Sequence, residues 1–178
     1  MGASKVQINN TNFHKIILDI SRSMLYNIIT PREKGTNKMN IYIASPLFHK
    51  WEQRNVKHIE KWLKTIFHDA TIYCPQDFQV PNAWELPNHV WAKKIFEEDH
   101  KQLDAADLVV CISYGYKSDD GAAWEMGYAK AKGKEVWLVA ADHDIGPYSL
   151  MFMTADKMFA LDENYDVSEI EPQDIEWK

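Results

Sequence analysis

The sequence predicts an α/β protein built on a parallel sheet, and three successive segments carry that prediction. Residues 108–112 (LVVCI) form a short apolar run rich in β-branched side chains, which is typical of a buried strand. Residues 122–132 favour a helix that ends at Gly133, and residues 135–140 (EVWLVA) repeat the strand pattern. A strand, a helix and a second strand in this order form a β-α-β unit with parallel strands.

Three acids, Asp119, Asp120 and Glu125, follow the first of these strands at the edge of the sheet where ligands bind in such folds. Small residues surround Glu125 in sequence, which would let a ligand come close. We expect it in the first turn or so of its helix, where the helix dipole keeps a carboxylate ionised. Such a carboxylate suits attack on an electrophilic carbon. The alternative is a solvent-facing glutamate that only complements the dipole, and the pattern alone favours neither.

Length, charge and cysteine usage exclude several classes of protein. A chain of 178 residues is one domain by length, with a formal net charge of -6. Residues 1–38 carry +4 and the remainder carries -10, which argues against a nucleic-acid polymer or an anionic membrane as partner. Cys74 and Cys111 lie in apolar strand-like runs, so buried free thiols in a reduced, cytoplasmic compartment are expected. No stretch is long enough to span a membrane.

The remaining elements divide the chain into three parts. Residues 1–38 are interpreted as an N-terminal extension, a short helix plus linker that is dispensable for chemistry. Residues 39–161 are the catalytic domain, and residues 162–178 are a loosely held acidic tail. Within the domain, helical spacing predicts that Trp91, Ile95 and Phe96 face inward. The other predicted elements are strands at 40–44 and 71–74 and helices at 51–67 and 89–103.

Three connecting segments leave alternatives open. Residues 75–88 form a long loop in which Phe78, Gln79 and Trp84 would cover a flat ligand, or in which the aromatics merely pack on the body, as composition slightly favours. Residues 148–159 are rich in methionine and aromatic residues, so they pack on another subunit or on their own sheet. The triplet Asp142-His143-Asp144 is interpreted as an exposed turn rather than a metal site.

Six stretches, in their order and spacing, resemble the nucleoside 2-deoxyribosyltransferases over roughly Asn40 to Leu161. They are IYIASPLF (41–48), YCPQDFQ (73–79), VWAKKIFEED (90–99), AADLVVCI (105–112), DDGAAWEMGYA (119–129) and YSLM (148–151). The resemblance implies a flavodoxin-like, doubly wound, five-stranded parallel sheet flanked by helices. It also implies exchange of the base between 2′-deoxynucleosides and free purine or pyrimidine bases, with no metal or cofactor.

The resemblance also assigns roles to individual residues. Glu125 matches the nucleophile and Tyr42 matches a tyrosine held near it. Asp99 and Asp119 match acids that handle the base and the sugar hydroxyls. The other substrate-contacting positions are Gln79 and Phe48 at the base, and Ser149 and Met151, which the family lends to a neighbouring subunit's site.

Two positions depart from the family pattern. Ser149 stands where an asparagine near the sugar 5′-hydroxyl is expected, and Leu47 stands where some members have tryptophan. The resemblance further implies a homo-oligomer, a hexamer built as a trimer of dimers, whose active sites are completed by a neighbouring subunit.

The expected mechanism is a retaining double displacement, in which Glu125 attacks C1′ and Asp99 supplies or relays a proton to the leaving base. One rival is a 2′-deoxynucleoside 5′-monophosphate N-glycosidase, for which Ser45, Ser118 and Ser149 offer phosphate contacts, while Asp119 and the acidic body count against it. A rival from another class is a non-catalytic nucleotide-binding module. No glycine-rich phosphate fingerprint follows the first strand, which weakens the dinucleotide and flavin versions of that module.

Overall fold

A computed structural model describes residues 38–115, 119–141 and 147–177 of the chain. The predicted extension up to residue 37, the loop serine Ser118 and the triplet Asp142-His143-Asp144 lie outside these ranges. The predictions made for them therefore stay predictions.

Six strands form one sheet in the part of the chain that the structure describes. They are β1 (Asn40–Ala44), β2 (Thr71–Tyr73), β3 (Leu108–Ser113), β4 (Glu135–Ala141), β5 (Lys157–Leu161) and β6 (Val167–Ile170). Their order is β2-β1-β3-β4-β5-β6, and every pair among the first five is parallel. The predicted flavodoxin-like α/β class is confirmed. The predicted count of five is corrected to six, because β6 adds an antiparallel edge strand to β5.

Three α-helices flank the sheet within the described ranges, and local sequence explains where each begins. They are α1 (Lys50–Ile66), α2 (Asn88–Ala105) and α3 (Asp120–Ala131). The backbone N–H of His49 donates to Glu52 Oε2 over 2.7 Å at the start of α1. Pro87 precedes α2, and Asp119 caps α3. Gly133 follows α3 with φ +70°, a conformation in which glycine is favoured at helix C-termini.

The core lies in the central strands, whose side chains are buried almost without exception. Because helices cover both faces of a doubly wound sheet, its strands are continuous apolar runs. Trp137 is the largest fully buried side chain, and its ring packs 5.0 Å from Phe159 between centroids. Cys74 and Cys111 are buried free thiols, as predicted. None of the helices within the described residues has the length and apolar character needed to cross a membrane.

The acidic C-terminal segment was predicted as a loosely held tail, and that prediction is wrong for residues 162–177. The segment contains β6, and the backbone N–H of Tyr148 donates to the Glu176 carbonyl over 2.7 Å. Ile175 is buried, and Trp177 Nε1 donates to the Pro172 carbonyl. The few apolar side chains of the segment face the core while its acids face solvent, so overall composition was misleading.

The prediction for α2 is wrong in part as well. Trp91 is 45% exposed and Phe96 is 53% exposed, and only Leu103 is fully buried in this helix. The helix therefore packs on the sheet mainly through its C-terminal half. The loop before it carries Trp84, which is exposed, and Val80, which is buried.

Candidate active site

Two tyrosines stand side by side in the sheet and define the centre of the candidate site. Tyr42 of β1 and Tyr73 of β2 are partners in the parallel register, so their side chains leave the sheet on the same face. Their ring centroids lie 5.5 Å apart. Each hydroxyl donates to a carboxylate on a helix, which brings α2 and α3 into one site with the two strands.

Glu125 of α3 accepts the first of these hydrogen bonds, from the Tyr42 hydroxyl to Oε1 over 2.6 Å. The helix begins at Asp120, so Glu125 lies in the second turn and not in the first turn where we expected it. The pull of the helix dipole is therefore weaker there than predicted, because it falls off beyond the first turn.

Burial decides the charge of Glu125. It raises the pKa of this carboxyl to about 7, aided by the nearby charges of Asp99 and Asp119 and opposed by the Tyr42 hydrogen bond. Burial therefore favours the protonated form of this carboxyl, against our expectation that the helix dipole keeps it ionised. Burial and the Glu125 carboxylate also raise the pKa of Tyr42, so this hydroxyl keeps its proton and acts as a donor.

Asp99 of α2 accepts the second hydrogen bond, from the Tyr73 hydroxyl to Oδ1 over 2.7 Å. Burial raises the pKa of Asp99, the Tyr73 hydrogen bond opposes this, and the charge of Glu98 adds to it. Sequence reasoning missed Tyr73. The sequence did contain a signal for it: Tyr73 lies in the stretch YCPQDFQ, at the end of the strand predicted next to the one that carries Tyr42. In the structure the two tyrosines are partners in the parallel register.

Asp119 lies at the N-terminus of α3, where its Oδ2 accepts a hydrogen bond from the Ala122 backbone N–H over 2.8 Å. Gly121 makes this cap possible. A Cβ at that position would stand 2.9 Å from Asp119 Oδ2. The cap holds a carboxylate near Glu125, which is close enough to contribute to the raised pKa of Glu125.

A cavity of about 350 Å³ opens between α2 and α3 and contains both catalytic candidates. Its lining combines the two acids with apolar and aromatic side chains, which is the usual make-up of a small-molecule site. The lining residues are Phe96, Asp99, His100, Leu103, Gly121, Trp124 and Glu125.

Aromatic rings form one wall of this cavity, and sequence reasoning missed their role. Phe96, His100 and Trp124 line the cavity, and the Phe96 and Trp124 rings lie 5.7 Å apart between centroids. Tyr128 is not part of the lining and packs against Trp124 at 5.3 Å and His100 at 4.9 Å. The available signal was spacing: Phe96 and His100 on α2, and Trp124 and Tyr128 on α3, are each four positions apart and so share one face of their helix. A planar ligand in the cavity would meet the rings of Phe96, His100 and Trp124 beside Asp99.

Comparisons with known proteins point to one family. A family model described as nucleoside 2-deoxyribosyltransferase matches residues 41–163. The chain belongs to this family. The match covers every strand of the sheet except β6, together with the two tyrosines and the two carboxylates of the site.

Two of the individual matches are described as deoxyribosyltransferases. A nucleoside deoxyribosyltransferase from Lactobacillus leichmannii is 34% identical over 67 residues, which is 37% of this chain and 43% of that protein. The aligned region thus spans less than half of the length of that relative. A 2-deoxyribosyltransferase structure from Bacillus psychrosaccharolyticus has a TM-score of 0.55 and 28% identity, covering 71% of this chain and 91% of its own. A conserved protein from Enterococcus faecalis V583 has a TM-score of 0.53 and 28% identity, with coverages of 60% and 65%.

Four residues that the resemblance to nucleoside 2-deoxyribosyltransferases selects lie outside this cavity in the single chain. Phe48 is 79% exposed and Met151 is 72% exposed. Gln79 Nε2 donates to the Gln76 carbonyl over 3.1 Å, and Ser149 Oγ accepts from the Met151 backbone N–H over 3.4 Å. The structure thus brings Tyr42, Asp99, Asp119 and Glu125 together. The substrate contacts expected of Phe48, Gln79, Ser149 and Met151 remain predictions.

No group of three or more His, Cys, Asp or Glu side chains among the described residues is arranged to hold a metal ion. The acids of the site are held by tyrosine hydroxyls and a backbone N–H instead. Such an arrangement is suited to proton transfer and to nucleophilic attack by a carboxylate.

Proposed function

We propose that this chain transfers 2-deoxyribose between nucleobases, with 2′-deoxynucleosides and free purine or pyrimidine bases as substrates. One observation carries the proposal. Glu125 and Asp99 line the same cavity, and each is held by its own tyrosine hydroxyl. The family to which the chain belongs supports the choice of reaction.

In the first half of the reaction, an ionised Glu125 oxygen attacks C1′ of the bound nucleoside. The bond from C1′ to the base nitrogen breaks, and its electron pair stays on the base. Asp99 gives a proton to the departing base, directly or through water, so the base leaves as a neutral molecule. The sugar remains bound to Glu125 as an ester, as in retaining glycosidases.

In the second half, a new base attacks C1′ of this ester from the face that the first base left. The bond from C1′ to Glu125 breaks, and the carboxylate recovers its electron pair. Asp99 takes the proton that the incoming base loses. Two inversions at one carbon give net retention, and the enzyme returns to its starting state.

The two carboxyls of the site can share the proton that these steps move. Burial raises the pKa values of both Glu125 and Asp99, so the pair holds a proton under conditions where exposed carboxyls have none. The Tyr42 hydrogen bond favours the ionised form of Glu125. The reacting state has Glu125 ionised and Asp99 protonated, and an interacting pair of this kind titrates as a unit.

We also propose that a second copy of the chain completes the site. Leu150, Met151 and Met153 are exposed in a short helical turn, Leu150–Thr154, that begins beside Ser149. Covering such side chains removes apolar surface from water and would exclude water from the ester intermediate. Light scattering on the full chain tests this proposal, and a monomer at micromolar concentration would contradict it.

The decisive assay mixes thymidine with adenine and follows the formation of deoxyadenosine. Transfer predicts deoxyadenosine and free thymine in equal amounts. Formation of free deoxyribose in place of deoxyadenosine, or turnover only of 5′-monophosphates, would identify the hydrolase instead. Binding without any turnover would identify a nucleotide-binding module.

A second experiment tests the ester. A 2′-fluoro-2′-deoxynucleoside forms its intermediate but breaks it down slowly, because fluorine destabilises the oxocarbenium-like transition state. Mass spectrometry of the protein should show one added fluorodeoxyribosyl group, and peptide mapping should place it on Glu125. An adduct on any other residue would refute the assigned nucleophile.

A further inference from the structure

Asp99 is held at only one of its two oxygens by a hydrogen bond that the structure records. The Tyr73 hydroxyl donates to Oδ1 over 2.7 Å. Tyr73 is itself held, since it ends β2 and its ring packs against the ring of Tyr42 at 5.5 Å between centroids. The donor therefore belongs to the sheet, while the acid that it contacts belongs to α2.

Tyr42 cannot take over this task, because its own hydroxyl donates to Glu125 over 2.6 Å. The site thus uses two adjacent tyrosines in register, one for each carboxylate. The charged and titratable groups around Asp99 are Glu98 and His100 on its own helix, Tyr73 and Tyr42 on the strands, and Glu125 with Asp119 on α3. Among these neighbours, Tyr73 supplies the recorded hydroxyl donor to Asp99.

We propose that Tyr73 is a positioning residue for base release, which holds Asp99 Oδ1 so that Oδ2 carries the proton to the leaving base. This inference rests on the proposed transfer reaction. When the proton passes from Oδ2 to the base nitrogen, Asp99 becomes a carboxylate and the electron pair of the broken bond stays on the base. The Tyr73 hydrogen bond strengthens as that charge forms, because hydrogen bonds to ionised acceptors are stronger than those to neutral ones.

An interaction that strengthens along the reaction lowers the barrier without tightening substrate binding. Loss of Tyr73 should therefore lower kcat and leave KM nearly unchanged. Loss of one hydrogen bond to a charged group corresponds to a fall of about tenfold to a hundredfold in rate.

The experiment compares Tyr73→Phe with a matched control, Tyr128→Phe. Tyr128 also donates to an aspartate, Asp104 Oδ1, over 2.7 Å, but this pair lies on the exposed side of the helices. Tyr73→Phe should lower kcat for deoxyadenosine by about tenfold or more, whereas the control should stay at the wild-type rate. Equal losses in both variants would show a general structural effect and overturn the inference.

Two further measurements isolate the route through Asp99. With 7-methyl-2′-deoxyguanosine the base already carries a positive charge and needs no proton, so Tyr73→Phe should react at nearly the wild-type rate. In an Asp99→Asn background, Tyr73→Phe should have little additional effect, because residues that act as a unit are not additive. The inference would be contradicted if Tyr73→Phe lowered kcat as much with the methylated substrate as with deoxyadenosine. It would also be contradicted if the effects of Tyr73→Phe and Asp99→Asn on kcat were additive.

The pH profile is the readout that a purely structural residue would not move. Since the Tyr73 hydrogen bond lowers the pKa of Asp99, Tyr73→Phe should shift the descending limb of the kcat profile to higher pH. If the wild-type protein shows no transfer at all, the proposed function fails. Carbon NMR titration of the Asp99 carboxyl then still decides the role of Tyr73, and an unchanged Asp99 pKa in Tyr73→Phe would refute it.

Discussion

Two tyrosine–aspartate hydrogen bonds of equal length behave differently in this molecule. Tyr73 donates to Asp99 and Tyr128 donates to Asp104, both over 2.7 Å and both to a residue of α2. The pKa of Asp99 is raised, because its burial outweighs the hydrogen bond. The pKa of Asp104 is lowered, because the Tyr128 hydrogen bond is the largest influence on an exposed carboxyl. The same contact therefore accompanies a raised pKa in one place and a lowered pKa in the other.

The comparison shows that the distance to a donor does not by itself reveal a catalytic acid. Desolvation decides the direction of the pKa shift, because it disfavours the charged form of a carboxyl even where no partner is present. Glu125 shows the same effect more strongly, because its hydrogen bond to Tyr42 is shorter still and its pKa is nevertheless about 7. The following predictions test this contrast between the buried and the exposed carboxylates.

The largest expected effect is on turnover. Glu125→Ala should fold and lose base exchange by about 10⁴-fold or more, because it removes the nucleophile. Asp104→Ala should exchange bases at the wild-type rate. The measurement is deoxyadenosine formation from thymidine and adenine, with circular dichroism to verify folding. Substantial activity in Glu125→Ala would end the proposed mechanism.

The next effect is on stability and its dependence on pH. The pKa of Glu125 is about 7 in the folded chain against the ordinary value of 4.5 for a glutamate, so the folded state binds this proton more tightly than the unfolded state does. The stabilisation is present below pH 4.5 and is lost as the pH rises through 7. Glu125→Gln, which cannot ionise, should gain about 3 kcal/mol over wild type between pH 4.5 and pH 8.

Urea denaturation at several pH values measures this gain directly. Asp104→Asn is the control and should show the opposite sign. The pKa of Asp104 is lowered by folding, so its contribution is present at neutral pH and is lost on acidification. A Glu125→Gln curve parallel to wild type would mean that Glu125 is not desolvated in solution.

A smaller effect concerns the acid limb of the pH profile. In wild type, kcat/KM should rise with pH through about 7, as Glu125 loses its proton. Tyr42→Phe removes the hydrogen bond that lowers this pKa, so the limb should move to higher pH and the rate at pH 7 should fall by about tenfold. Tyr128→Phe should leave the limb in place. If the limb stays near pH 7 in Tyr42→Phe, the Tyr42 hydrogen bond does not influence the pKa of Glu125.

The smallest effect is expected for Asp104→Asn on activity. This residue carries a salt link to Lys132 and accepts the Tyr128 hydrogen bond, all on the surface. Turnover should stay within about twofold of wild type, because exposed pairs contribute little. A large loss would mean that Asp104 is needed to hold His100, which lines the cavity 3.7 Å away, in place.

Much of the fold could be predicted from sequence, because its strongest signals are local. The strand at Asn40–Ala44 was predicted to the residue, and the strands at 108–112 and 135–140 to within one residue. Continuous apolar runs bounded by turns mark strands that are buried on both faces. β6 escaped notice, because a four-residue edge strand with two exposed polar positions has no such run.

The candidate site divides in the same way. Glu125, Asp99 and Tyr42 were identified by resemblance, and the structure places them in one hydrogen-bonded group with Tyr73. Trp124, Phe96 and His100 were not identified, although Trp124 and Phe96 lie in stretches that carry the resemblance, because Phe96 was expected inside the core and no role was assigned to the other two. Contacts between helices that are distant in sequence follow from how these helices pack on the sheet.

The amino-acid sequence alone determined the alternation of strands and helices and the edge of the sheet at which the acids of the site lie. These properties follow from periodicity and residue type, which act over a few neighbouring positions. Only the tertiary structure decided which carboxyls have a raised pKa and which tyrosine holds each of them. Burial and a hydrogen bond between residues 83 positions apart arise when the chain has folded, and no local pattern encodes them.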